Sequence, residues 1–444
     1  MRVYSFARGG LSFDDPTAPP RNSSVVAYLP ALSVIPLAPG GMPLVNAGDT
    51  VREGMLICKG AGLDNVHATV PGKVINIVEW NDKGRIKGHD KEHTKEHINE
   101  GRKNKALVIR MEGEFERLGK AEKNYLQEGM NNFELKKALT DCGIVEMEGS
   151  GRPLAAILSE LQGVKGQQTL VVRCVFDDPW LAADYVLCKE RLPAIVEGSF
   201  IIAKIGGNIR RVVFAVSSRE KDIGEAMLAE AALYNIPSSL VITGSKYPQH
   251  GRRELELALR SYEKKEKIEL GMLLMLGPAT LAAVHDAAKY RRPILDRYVA
   301  VGGSAVKKPQ VMKVRLGKRF GDLFEECGGF IDIPSRIASG SPLSGKTVFD
   351  LNEPVTKTSY AVFAMLKAQA GDFPQRDCIS CGECRAVCPV GLDPELLYKQ
   401  ITIADADCAS MTECHGCGCC EVVCPSRLPL SNVITGKTKG EFYV

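Results

Sequence analysis

The sequence predicts a multidomain α/β protein in four parts. These are an N-terminal β unit (1–133), a central βαβ domain with a parallel sheet (134–295), a compact α+β unit with a connector (296–366) and a C-terminal helical module (367–444). Three observations carry the prediction. Close-set glycine and proline turns punctuate residues 30–80, apolar runs alternate with helical patterns from 134 to 295, and two cysteine runs repeat at an offset of 36 residues near the C-terminus. A chain of 444 residues is too long for one ordinary core and leads to an expectation of roughly three or four domains.

In the first part the turns are Pro39-Gly40-Gly41, Ala47-Gly48-Asp49, Arg52-Glu53-Gly54, Gly60-Ala61-Gly62 and Pro71-Gly72-Lys73. Punctuation this dense leaves room only for short strands, so the unit reads as all-β. Residues 82–105 are a charge-rich insertion containing His89, His93 and His97 at helical spacing. Three histidines on one helix face could bind a metal, but a solvated loop between two strands explains the composition and no site is assigned there. In the central part, β-rich runs at 169–172, 211–216, 239–243 and 273–276 alternate with helical patterns at 220–234 and 253–265, the arrangement of a parallel sheet. The third part carries strand-like 299–303 and 311–316 and a short helix at 320–326 that stops at Cys327-Gly328-Gly329. In the fourth, Asp393-Pro394-Glu395 supplies an N-cap, a proline at the first helical position and an acidic first turn, so a helix is expected between the cysteine runs.

Composition excludes several classes. With 45% apolar and 25% charged residues the chain is that of a soluble globular protein. Its net charge of +4 is small for its size and no basic stripe is interleaved with aromatics, so nucleic acid is not an expected partner. The start of the chain lacks the apolar segment of a secretory signal. The stretch 25–45 is broken by four prolines and 271–284 is too short, so neither is a membrane span. Cys58, Cys142, Cys174, Cys188 and Cys327 are scattered singly, which fits a reducing compartment.

Eight of the fifteen cysteines stand in two runs, Cys378-x2-Cys381-x2-Cys384-x3-Cys388-Pro389 and Cys414-x2-Cys417-x2-Cys420-x3-Cys424-Pro425. Three closely spaced thiolates wrap one cubane while the fourth, ahead of proline, reaches the other cluster. The spacing therefore assigns Cys378, Cys381, Cys384 and Cys424 to one [4Fe-4S] cluster, and Cys414, Cys417, Cys420 and Cys388 to a second. Zinc is the competing ligand, but it explains neither the third cysteine nor the trailing Cys-Pro of each run. Cys408 and Cys419 are out of register, and either would be open to oxidation if exposed.

Taken in order, Gly48-Asp49-x-Val51-x-x-Gly54, Lys246-Tyr247-Pro248-Gln249, Gly302-Gly303-Ser304-Ala305-Val306, Pro354-Val355-Thr356-Lys357-Thr358 and the paired cysteine runs resemble the C-subunit family of the Rnf electron-transport complex. That family is related to the flavin- and NADH-binding subunit of respiratory complex I. The resemblance implies a barrel-sandwich unit like biotinyl and lipoyl domains, a Rossmann-like domain, a ubiquitin-like SLBB unit and a two-cluster ferredoxin module. Lys59 is not set at a hairpin tip as a carrier lysine would be, so the first unit is read as structural.

The resemblance also implies FMN and NADH, and here the sequence departs from the family. Its glycine-rich loop corresponds to Gly143-Ile144-Val145-Glu146-Met147-Glu148-Gly149-Ser150-Gly151-Arg152-Pro153, with two glycines replaced by Glu146 and Glu148. A carboxylate repels a phosphate and its side chain blocks backbone approach, with Arg152 positioned to compensate in part. In the second element Asp178 stands for one acidic residue with a shorter arm, while Phe176 cannot stand for the other, and Ile157 occupies the place of a lysine. No flavin or nicotinamide residue is therefore assigned.

The expected role is a peripheral subunit at the cytoplasmic face of the bacterial membrane. It would relay electrons between a soluble carrier such as ferredoxin or the NADH pool and the other subunits of an ion-translocating complex. A soluble flavin-dependent NADH reductase of the cobalamin-reductase type, and a non-catalytic assembly subunit, are the alternatives.

Overall fold

The structure, a computed structural model, describes residues 2–12, 14–60, 64–80, 104–115, 124–125, 129–370, 374–404 and 413–439. His89, His93, His97 and Cys408 lie outside the described residues. The first unit is two small sheets face to face. One orders Leu32–Pro36, Asn104–Met111, Gly72–Trp80 and Thr50–Val51, and the other Met42–Pro43, Leu56–Lys59 and Val66–His67. Ile35, Val51, Ile57, Val74, Leu107 and Ile109 fill the space between them. Lys59 pairs with Met42 inside a strand and so is not at a hairpin tip.

The central domain is a five-stranded sheet, parallel throughout, in the order Val3–Tyr4, Ser238–Thr243, Ile209–Ser217, Gln168–Cys174 and Met272–Leu276. Four of these strands fall where the apolar runs place them. The fifth, Val3–Tyr4, comes from the N-terminus, and Ser24–Val26 joins the sheet of the third unit. The first 26 residues are thus paired with the second and third units, whereas the sequence pattern groups them with the first. Their strands are too short to carry a period and are fixed by their partners.

That third sheet orders Lys346–Thr347, Arg336–Ser339, Ala361–Met365, Asp296–Gly302, Gln310–Arg315 and Ser24–Val26, with the helix Phe320–Glu326 beside it. Lys357, half-buried, donates to Asn65 O at 3.0 Å and Gly143 O at 2.8 Å, tying the first three units together at one ammonium. Burial pulls its pKa down to about 8.

Two helices, Ala182–Gly206 and Pro278–Tyr290, pack on the central sheet and on each other through a charge network. Arg191 grips both oxygens of Asp286 at 2.6 and 2.9 Å, and His285 lies 2.9 Å from Asp286 and 3.2 Å from Glu197, which also meets Lys289. The hydrogen bond from His285 leads in holding Glu197 down to about 2. For His285 itself burial acts downward, but Asp286 and Glu197 overcome it and its pKa is raised. A histidine raised on folding contributes stability that is complete below its unfolded pKa of about 6.5 and lost as pH rises through the folded value. His285→Gln is therefore expected to flatten the fall in stability as pH rises above about 6.5, read from urea midpoints. An equal fall in both proteins would rule it out.

Candidate iron-sulfur sites and the degenerate loop

The C-terminal module is a two-fold repeat in its backbone as well as its cysteines. Left-handed φ values occur at Ser380 and Gly416, Gly382 and Gly418, and Gly391 and Arg427, three pairs that keep the 36-residue offset. Gly382 and Gly418 each sit at the start of a one-turn helix, Glu383–Ala386 and Cys419–Val422. The expected helix between the runs spans Pro394–Ala404, with the Asp393 carboxylate accepting from Leu396 N at 3.2 Å. It packs on Leu430–Lys439 through Ile401 and Ile434, and Cys414 lies against that apolar sheath.

Cys378, Cys381 and Cys384 of the first run line one small cleft, together with Cys424 of the second. Ile379, Tyr398, Pro425, Leu428 and Leu430 complete much of the wall. Among the described residues no three histidine, cysteine or acidic side chains converge on a single metal ion. A tetrahedral zinc site needs sulfurs about 2.3 Å from one point, whereas a cubane needs them spread around a volume. Cys378 and Cys381 are exposed, so this site opens to solvent.

Cys388 sits within electrostatic reach of Cys414, Cys417 and Cys420. Burial pushes the Cys414 thiol up to about 11 and also raises Cys388 and Cys420. A metal taken up here displaces protons from those thiols. The donor sets fit iron-sulfur clusters: they are all cysteine, and backbone N–H groups point at sulfur from Leu392 to Cys388 at 3.3 Å and from Ser380 to Cys378 at 3.5 Å.

The second site is docked against the central domain. Tyr247 Oη donates to Cys417 O at 2.7 Å, Arg253 pairs with Glu413 at 3.1 Å, and Gly10 N donates to Val387 O at 2.9 Å. A Cβ at Gly9 would lie 2.7 Å from Cys388 O, so the N-terminal strap needs glycine to pass. Cys419 is fully buried, which removes the solvent exposure that oxidation requires. These anchors come from distant parts of the chain and have no signal in the local pattern.

In the loop at 143–153, each carboxylate that replaces a family glycine is committed. Glu146 accepts from Ser150 N and Ser150 Oγ, closing the loop on itself. Glu148 Oε1 accepts from Ala279 N at 2.7 Å and Thr280 N at 3.0 Å, and Thr280 Oγ1 donates to its other oxygen. Arg152 turns outward to Glu160 and does not compensate. Asp178 is buried, accepting from Trp180 N at 2.9 Å and Ser341 Oγ, so it faces no nicotinamide. Phe176 is buried edge-on to Tyr185, and Asp177 is taken by His250 at 2.7 Å. These residues do not fit a flavin phosphate.

Residues 139–286 match the family model of the Nuo51 FMN-binding domain and residues 298–346 that of the SLBB domain. The chain is 29% identical over 391 residues to the C-subunit of the ion-translocating oxidoreductase complex of Rhodobacter capsulatus, covering 86% of this chain and 72% of that one. It is 27% identical to the C-subunit of the proton-translocating ferredoxin:NAD(+) oxidoreductase complex of Clostridium ljungdahlii, over 88% and 83% of the two chains. The Na(+)-translocating counterpart of Acetobacterium woodii is 27% identical over 79% and 76%. Over most of its length the chain is thus similar to C-subunits of Rnf-type ion-translocating complexes. Within the region that matches the flavin-binding domain, then, the loop carboxylates bond to this chain's own backbone. Among the described residues no helix is long and apolar enough to cross a membrane.

Proposed function

We propose that the chain is a peripheral iron-sulfur subunit of a membrane-bound, ion-translocating electron-transport complex. It relays electrons through two [4Fe-4S] clusters between a soluble carrier and membrane subunits on the cytoplasmic side. The observation that carries the reading is the cleft in which Cys424 of the second run meets Cys378, Cys381 and Cys384 of the first. When bound, the clusters supply one-electron transfer. The protein's residues do the rest. Exchanging the fourth cysteine fixes the two sites side by side, and N–H groups of Leu392 and Ser380 aimed at sulfur stabilise negative charge there. Leu428 and Leu430 with Cys384 and Cys420 form an apolar layer that limits water between the sites.

The two ends differ. The Cys378 and Cys381 end is exposed beside Ile379 and is where a partner can approach, while the Cys417 end is locked to the central domain through Tyr247. The relatives' names couple ferredoxin and NAD to proton or Na(+) translocation, which supports a ferredoxin-type carrier on one side and fixes no single ion. The committed Glu146, Glu148 and Asp178 support a central domain that serves as scaffold without FMN or NADH. They count against the soluble flavin-dependent reductase.

An anaerobic titration of the cluster-loaded chain, followed by cluster absorbance and EPR, tests this. Dithionite or reduced ferredoxin is expected to bleach the clusters, and NADH with added FMN to leave them oxidised. Bleaching by NADH and FMN would return a hydride-accepting site to this chain and sink the scaffold reading. Clusters that no reductant changes would leave only an assembly role.

A further inference from the structure

We propose that Glu148 is a built-in anion filling the N-terminal end of the helix Pro278–Tyr290, and that it is the residue which shuts the phosphate of a flavin nucleotide out of this domain. The inference rests on the relay reading above and assigns its flavin-free character to one side chain.

The N-terminal turn of a helix presents unpaired N–H groups and the positive end of the helix dipole, and so attracts an anion. In this chain the anion is already present. One carboxylate takes Ala279 N, Thr280 N and Thr280 Oγ1, three donors that an incoming phosphate would need. The seat is built for close approach. A Cβ on Gly277 would fall 2.3 Å from the Glu148 carboxyl carbon, so only glycine lets the carboxylate sit so near the backbone. Met147 adds to the lock, its N–H accepted by Thr280 Oγ1 at 2.9 Å. Glu148 thus binds across 131 residues of sequence, whereas Glu146 bonds only within its own loop.

A second observation is that the contact borders a pocket walled by arginines and the aspartates they pair with. An open pocket is lined by Met147 and Ala279, on either side of this contact, and Arg191, Arg292 and Arg297 contribute to its wall. Asp286 and Asp296 in the same wall pair with Arg191 and Arg292. Arg297 is 2% exposed and faces Asp184 at 3.2 Å, with none of its N–H groups in hydrogen-bond geometry. With Glu148 in place, a phosphate meets a fixed negative charge and finds its donors taken. Without it, the same donors are free beside a space walled partly by arginine.

The test uses the full, cluster-loaded chain as wild type, Glu148→Gly and Glu148→Gln, titrated with FMN, with riboflavin, and with FMN in competition with inorganic phosphate. Flavin fluorescence is the readout. Wild type is expected not to bind FMN, and Glu148→Gly to bind it at least ~10-fold more tightly, with riboflavin unchanged and phosphate competing. Glu148→Gln keeps the length of the side chain and drops its charge, so a smaller gain is expected. It carries the test alone if Glu148→Gly does not fold. Folded variants, judged by unchanged cluster absorbance and far-UV CD, that gain no affinity overturn this inference and leave the relay reading standing. FMN bound by the wild type overturns both, and equal gains for riboflavin and FMN overturn the assignment to phosphate.

Discussion

Cys424→Ala is expected to remove the cluster whose other ligands lie some forty residues earlier in the chain, and to spare the one ligated by its own neighbours. Iron should fall from about eight to about four per chain. Iron content alone does not say which cluster has gone, but pairs of substitutions do. Cys381→Ala combined with Cys424→Ala removes two ligands of one site, so the double variant should keep about four irons. Cys417→Ala combined with Cys424→Ala strikes both sites and should leave almost none. The reverse pattern would mean that each run holds its own cluster. Iron assay and EPR of the reduced proteins decide between them. Alanine is the right replacement because a serine oxygen can still ligate iron.

What the sequence makes legible depends on how far apart the interacting residues are. The cysteine assignment rests on spacing within two short runs and on their repeat, and the cleft gathers the four cysteines that the spacing groups. The central strands are legible for the same reason, since each is a self-contained apolar run buried on both faces. The helix Ala182–Gly206 is not. It is buried around most of its circumference, so it has no amphipathic stripe to read. It also contains Pro193, a usual stop signal, and the chain accommodates that proline with a break at Arg191, φ −132°.

The degenerate loop shows where such reading ends. Substitution of glycine by Glu146 and Glu148 is visible, and that a carboxylate opposes phosphate follows from charge alone. Nothing local distinguishes the two glutamates, yet one closes a turn and the other caps a helix 131 residues away in sequence. Asp178 misleads in the same way. Its position matches an acidic residue of the family, but Ser341, 163 residues away, takes its second oxygen and buries it. In both cases the partner is supplied by the fold.

Trp180→Ala is expected to destabilise the chain by about 3–5 kcal/mol, the range for removing a fully buried aromatic side chain. Three parts of the fold meet at this indole, so the loss is not confined to one of them. Its backbone starts the short turn capped by Asp178, its ring lies 4.8 Å from Phe363 in the third sheet, and its Nε1 donates to Asp15 in the N-terminal strap at 3.0 Å. Gly302, also in that sheet, comes so close that a Cβ there would be 3.1 Å from the ring. The cavity left by alanine therefore opens between elements that share no covalent neighbour, where collapse is difficult. Trp180→Phe keeps most of the volume and loses the hydrogen bond, at an expected cost of about 1–2 kcal/mol. The strap that Asp15 anchors leads back to Gly10, which holds the backbone beside Cys388. Weakening at Trp180 should thus reach the second cluster site as well as the global midpoint. Denaturant unfolding of the two variants, followed both by far-UV CD and by cluster absorbance, checks this. A Trp180→Ala protein no less stable than Trp180→Phe would mean that the three parts are held together elsewhere. A shifted CD midpoint with an unmoved cluster signal would cut the strap out of the argument.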